Sequence, residues 1–283
     1  MAIKLLYEKT SRDLTGCSKM WGNPDLPDSL DYPEVEVKDD GETYFDPMTF
    51  ICQIRLEDIA ALDREGKLPH RGMLYFFASL DYFLGNIYAP CSPGMGEWDS
   101  RYFKVLYTED GSELHTHRIV YDDGSEYGLP ALALSFEECG DRDYGFKLLG
   151  EPYFEEVRDL YPGRVSLLQL DCEDDWGLRF FDCGMLNFLM DGKSGIFRKD
   201  EESDNCQKDG ESGIFRKDGE LDNCLKNGKS GNCRKDGELD NCLKNGKSGN
   251  FLKNGKSDIF RKDGESGTAG NGAERISCYL HSF

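Results

Sequence analysis

Gln53-Ile-Arg-Leu-Glu-Asp58 and Gly72-Met-Leu-Tyr-Phe-Phe77 decide the fold, because both stretches return in the same order further along the chain. Their echoes are Gln169-Leu-Asp-Cys-Glu-Asp174 and Gly184-Met-Leu-Asn-Phe-Leu189. A Gly-x-Pro turn precedes each set, at Gly22-Asn-Pro24 and Gly150-Glu-Pro152. Pro fixes φ and Gly takes angles that other residues avoid, so each half opens on a turn. Ile51-Cys-Gln-Ile and Val165-Ser-Leu-Leu-Gln-Leu are short apolar runs with the length of buried strands, and Gly-Met-Leu-x-Phe reads as a strand leaving a tight turn. Further strands are expected at 102–107, 118–121 and 131–135, with short helices at 56–63 and 152–157. The expected fold is α+β, mostly antiparallel sheet, with residues 1–191 internally duplicated into halves at about 1–110 and 111–191.

From Phe188 to Thr268 one nine-residue unit recurs nine times. Nearly every unit carries Asp-Gly or Asn-Gly, the strongest signal for a two-residue hairpin turn. A meander in that register sets Lys217 opposite Glu220 and Lys235 opposite Glu238, but also Lys226 opposite Lys229 and Lys244 opposite Lys247. Neither face collects a continuous apolar surface able to offset the ordering cost of roughly 1–2 kcal/mol per residue. The segment 192–270 is therefore read as an insertion that is either disordered or a thin β-meander or solenoid. The Gly-Gly-x-Gly-x-Asp signature of a calcium-binding roll is absent. Residues 271–283 are expected to return to the body as a final strand.

The chain holds 34 basic and 54 acidic residues, and the part from Phe188 onward carries 17 of each sign, so the whole excess of 20 negative charges falls on residues 1–187. Such a body repels phosphate backbones and anionic lipid heads, which argues against nucleic acid and membrane surfaces as partners. It permits a basic protein partner. The N-terminus lacks a secretory apolar region and no run is long enough to span a bilayer, so a cytoplasmic location is expected. Six scattered body cysteines without Cys-x-x-Cys read as reduced thiols, and neither a metal nor any other cofactor is expected.

Ser18-Lys-Met-Trp-Gly-Asn-Pro-Asp-Leu-Pro27, Phe50-Ile-Cys-Gln-Ile-Arg-Leu-Glu-Asp-Ile59, Gly72-Met-Leu-Tyr-Phe-Phe77, Leu167-Leu-Gln-Leu-Asp171 and Asp182-Cys-Gly-Met-Leu-Asn-Phe188 together resemble the YwqG-like family, a bacterial domain of unknown function. The resemblance implies a duplicated α+β fold and carries no established activity or catalytic residue. It also implies that Glu274-Arg-Ile-Ser-Cys-Tyr-Leu-His-Ser-Phe283 is the last strand of the body, with the array inserted before it.

Candidate chemistry is sparse. Gln53 and Gln169 are equivalent amides on apolar strands and would face a cleft between the halves, or else tie neighbouring loops. Arg55, Asp58, Asp171 and Asp174 flank them, and Trp21 beside the Gly-x-Pro turn is a candidate pocket wall. His115-Thr-His117 would put two imidazoles on one strand face without an evident third metal ligand. No histidine stands in a recognisable nucleophile-and-base arrangement, and Gly192-Lys-Ser194 lacks the rest of a phosphate loop. No catalytic residue is assigned. The expectation is a binding or interaction module, with an enzyme of unassigned class working through Gln53, Gln169 and the acidic turns, or an immunity-type protein neutralising a basic toxin, as alternatives.

Overall fold

A computed structural model describes residues 1–39, 41–109, 113–120, 124, 126–192 and 276–282, together with six short strands of the repeat array. The body contains β1 (Ala2–Lys9), β2 (Lys19–Met20), β3 (Asp25–Pro27), β4 (Glu34–Asp39), β5 (Glu42–Pro47), β6 (Thr49–Arg55), β7 (Met73–Ala78), β8 (Gly96–Trp98), β9 (Phe103–Thr108), β10 (Leu114–Thr116), β11 (Leu132–Cys139), β12 (Lys147–Leu148), β13 (Arg164–Leu170) and β14 (Met185–Asp191). Two short helices, α1 (Leu56–Ile59) and α2 (Glu155–Leu160), complete it apart from 3-10 turns and one late strand. Six array strands follow as β15 (Ile214–Lys217), β16 (Glu220–Asn223), β17 (Cys233–Lys235), β18 (Glu238–Asp240), β19 (Phe251–Lys253) and β20 (Lys256–Asp258), and β21 (Ser277–His281) closes the chain.

Eleven strands form one antiparallel sheet in the order β8-β21-β14-β13-β12-β1-β11-β2-β6-β7-β9. Its two edges, β8 and β9, are consecutive in the chain and joined only through residues 99–102. So short a link reaches at most about 17 Å, so the sheet must curl until its edges nearly meet. Phe76 of β7 and Phe103 of β9 both pack against Phe188 of β14, with ring centroids 5.3 and 6.0 Å apart, across the interior of that near-barrel.

The curl explains the continuous apolar runs. Along β7, Leu74, Phe76 and Ala78 point into the barrel core, while Met73, Tyr75 and Phe77 pack outside against Leu26 of β3, Val35 and Val37 of β4, Met48 between β5 and β6, and Phe50 of β6. Along β14, Leu186, Phe188 and Met190 face inward, whereas Met185 and Leu189 meet Phe154 and Val157 around α2. Side chains alternate faces along a strand, and here both faces are covered, so neither strand reads as half polar.

One helix is shorter than the sequence suggests, and the one expected at 152–157 keeps its length but runs over Glu155–Leu160. The pattern over 56–63 becomes helix only to Ile59, because Asp63 turns the chain by accepting bonds from the amides of Lys67 and Leu68 at 3.1 and 2.9 Å. Of the strand expected at 118–121, Val120 makes one bridge to Glu126 and residues 118–119 lie outside any strand, while 121 lies outside the described residues.

The array strands pair antiparallel in chain order. Lys217 lies opposite Glu220, Lys235 opposite Glu238 and Lys253 opposite Lys256. The expected pairs 226–229 and 244–247 fall outside the described residues. By compactness residues 1–199 and 269–283 form one unit and 200–268 another. Within the first, β21 pairs with both β14 and β8.

Candidate functional site

Lys19 on β2 lies opposite Gln53 on β6, and a buried polar node forms around the pair. Asp25, fully buried at the start of β3, accepts on Oδ2 from Lys19 Nζ and Gln53 Nε2 at 2.8 Å each and from the Gly16 amide at 2.9 Å. Its Oδ1 accepts from Thr116 Oγ1 at 2.8 Å. Gln53 Oε1 accepts from the Asp25 amide at 2.8 Å, and Nε2 also donates to the Cys17 carbonyl at 2.9 Å. Tyr75 closes the node by donating to the Asp25 carbonyl at 2.7 Å. A buried carboxylate persists only with a countercharge and a full set of donors, and Asp25 has both.

Lys19 is also part of the floor of an open cleft of about 500 Å³. The loop after β1 supplies Thr10, Arg12 and Thr15; Gly22 and Asn23 come from the Gly-x-Pro turn; Thr116, Arg118 and residues 126–131 form the far wall. Three cations, Arg12, Lys19 and Arg118, stand against two carboxylates, Asp13 and Glu126. Arg118 reaches Glu126 at 3.5 Å, and Asn23 donates to the other oxygen of Glu126 at 2.9 Å. Arg12 is exposed, and among the described residues its guanidinium takes no partner. Both arginines line the cleft, Arg118 paired with Glu126.

A similar local geometry with different chemistry occurs around Gln169. Lys147 on β12 lies opposite Gln169 on β13. Gln169 Oε1 accepts from the Tyr153 amide at 2.9 Å, and its Nε2 donates to the Gly145 carbonyl at 2.9 Å. Trp21 and Leu149, each just before the glycine of its Gly-x-Pro turn, share a left-handed φ of 58° and 62°. The register of β6 against β7 slips between Phe50 and Cys52, and that of β13 against β14 between Ser166 and Leu168. Among the described residues, however, Lys147 makes no ion pair with a carboxylate. Its ammonium donates to the carbonyls of Asp141 and Asp143 at 2.7 Å each, and burial pulls its pKa down to about 8.

The residues singled out from sequence do not gather in one place. Gln53 and Gln169 have no exposed surface, and β12, β1, β11 and β2 stand between their strands. The cleft between halves expected to hold both amides is therefore not formed, since each amide is consumed by its own Gly-x-Pro loop. Trp21 is buried and packs edge-on against Trp176 with ring centroids 5.5 Å apart, in the core and not on a pocket wall. Arg55 Nε donates to Asp58 at 2.9 Å, and Asp58 also accepts from Ser18 Oγ at 2.7 Å, which anchors the strand end beside the node. Asp171 accepts from the Gly145 and Cys172 amides, with burial holding its carboxyl above the ordinary range. Asp174 is exposed and paired with Arg179 at 2.8 Å. His115 faces Asp28 at 3.7 Å while His117 stacks on Tyr32, and no three His, Cys, Asp or Glu among the described residues could hold a metal together.

Residues 18–157 match the family model of a domain of unknown function, DUF1963. No curated protein matches the chain. The matched domain takes in β2 to β12, hence Lys19, Asp25, Gln53, Thr116 and Arg118, while Arg12 precedes it and Gln169 follows it. Sequence reading missed Arg12, Lys19 and Asp25, which lie within one short stretch of the chain, and Arg118, which is far from them. One signal was available: a lysine stands three residues before the glycine of both Gly-x-Pro turns, at Lys19 and Lys147. Among the described residues no helix is long and apolar enough to cross a membrane.

Proposed function

We propose that the chain is a cytoplasmic binding module of the YwqG-like family, and that its cleft takes a small polar ligand bearing an acidic group. The observation that carries this reading is the convergence of Arg12, Lys19 and Arg118 on one cleft of about 500 Å³, within a chain whose net charge is −20. The Asp25–Gln53 node fixes and neutralises Lys19 and Glu126 engages Arg118, which leaves Arg12 as the cation offered to an acidic ligand. Two related halves are part of the same reading, supported by the paired Lys–Gln registers, the left-handed residues and the matching register slips. On this reading the first half kept the acid at position 25 and gained the cleft.

The test is a thermal-shift panel of small carboxylates and phosphates on the full chain. A true ligand at 100 times its Kd adds about 2.7 kcal/mol of stability. Arg12→Ala, at an exposed side chain, should leave the unliganded melting temperature unchanged and weaken binding by about tenfold, the size of one lost charge-assisted contact. A panel without any response, or an Arg12→Ala variant that binds like the parent, rejects the reading.

A second reading has one observation in its favour: all 20 excess negative charges lie in residues 1–187. It makes the body an immunity-type protein that captures a basic toxin through long-range attraction. Association with such a partner would slow steeply as salt rises, whereas a salt-independent rate would exclude it.

A further inference from the structure

Away from the cleft, Asp46 of β5 and Asp81 of the turn after β7 line a second cavity of about 10 Å³, together with Ser79 and Cys91. That is room for a single water-sized occupant. Asp81 is oriented from one side only, since its Oδ1 accepts from Thr49 Oγ1 and from Tyr127 OH at 2.7 Å each. Among the described residues, Asp81 Oδ2 and both carboxylate oxygens of Asp46 take no hydrogen bond. Ser79 is 6% exposed, and its buried hydroxyl has no partner. A buried hydroxyl left unpaired beside two carboxylates calls for an occupant that satisfies all three. Burial, and after it the charge of Asp81, holds the Asp46 carboxyl above its ordinary range. The nearby cation does not relieve this, because Arg101 is paired with Asp99 at 3.1 Å.

We propose that Asp46, Asp81 Oδ2 and Ser79 Oγ bind one hard divalent cation of the calcium or magnesium kind. Two carboxylates match the double charge, the donors are all oxygen, and solvent at the mouth completes the shell, as these ions require. Softer metals select thiolate or imidazole donors, and none of the three named donors is either. The donors come from positions 46, 79 and 81, so no ligand-spacing motif announces them. A bound cation would fasten the β4–β5 hairpin to the end of β7 and, through Asp81 and Tyr127, to the wall of the cleft. The site stands independently of what the cleft binds.

Terbium is a suitable probe on the full chain after EDTA treatment, with Tyr32 and Tyr127 beside Asp81 as sensitisers. The expected result is sensitised luminescence displaced by calcium or magnesium, with calcium also raising the melting temperature. Asp46→Asn should weaken terbium binding by about tenfold or more and abolish the calcium-dependent rise, yet melt no lower than the parent in EDTA because a repulsion has been removed. Ser79→Ala should weaken binding while keeping the fold. Luminescence that calcium and magnesium do not displace, or that both variants retain in full, would show terbium scattered over surface carboxylates and overturn the proposal. An equal response of parent and Asp46→Asn to calcium would leave only a water in the cavity and overturn it too.

Discussion

Lys19 and Lys147 each lie opposite a buried glutamine on the neighbouring strand, yet one faces a carboxylate and the other donates to carbonyls. The difference predicts a pH effect. Burial pulls Lys147 from 10.5 down to about 8, so between those values the unfolded chain binds a proton that the folded chain has released. The contribution of Lys147 to stability must then rise with pH across that window, by at most ~1.4 kcal/mol per pH unit. Urea unfolding at pH 7.5, 8.5 and 9.5 should show the parent gaining on Lys147→Met as pH rises, the thiols and tyrosines common to both cancelling in the difference; a constant difference would refute the assignment. The sequence made both glutamines visible because an amide inside an apolar run must find partners, and backbone loops proved to be those partners. It did not make Arg12 or Arg118 visible, since an exposed arginine in a loop carries no periodicity and meets its fellows only through tertiary pairing.

Strands β6, β7, β13 and β14 were legible because they are buried on both faces and read as unbroken apolar runs. The outer layer was not. The β4–β5 hairpin buries Val35 and Val37 on one side only, and β5 itself is largely exposed, so its residues resemble a loop. Nor could the curl of the sheet be foreseen, because it depends on β8 and β9 lying at opposite edges. Gly72 shows how tightly the β7–β9 edge is built. Its φ is +91°, and a Cβ placed there would stand 2.3 Å from the Thr108 carbonyl oxygen. Gly72→Ala should therefore cost about 3 kcal/mol or more, through backbone strain and steric overlap together. Gly85 has a similar φ of +98° but nothing within 4 Å, so Gly85→Ala should cost only the conformational part, roughly 1 kcal/mol. Chemical denaturation of the two variants measures the gap, and equal losses would show that contact at Thr108 is not what selects glycine.

At the scale of the molecule, the array lies between two strands whose connection needs very little chain. Strands β14 and β21 are antiparallel neighbours with Leu189 opposite Ser277, so the ends to be joined already lie side by side. Hairpin connections of two to five residues are ordinary, and loop closure costs only about 0.6 kcal/mol more for each doubling of length. Removing residues 200–268 would leave more than enough chain between the two strands. The excised protein should fold, with a single cooperative transition and a melting temperature close to that of the parent. β21 should be less tolerant: its inward Cys278 and Leu280 sit in the barrel core, and it alone links β14 to β8. Ending the chain at residue 276 should thus expose the edge of β14 and yield aggregated protein. Calorimetry and size-exclusion chromatography of the two truncations separate the cases, because a stable chain ended at 276 would remove β21 from the list of strands the body requires, and an unfolded 200–268 deletion would make the array part of what the body needs to fold.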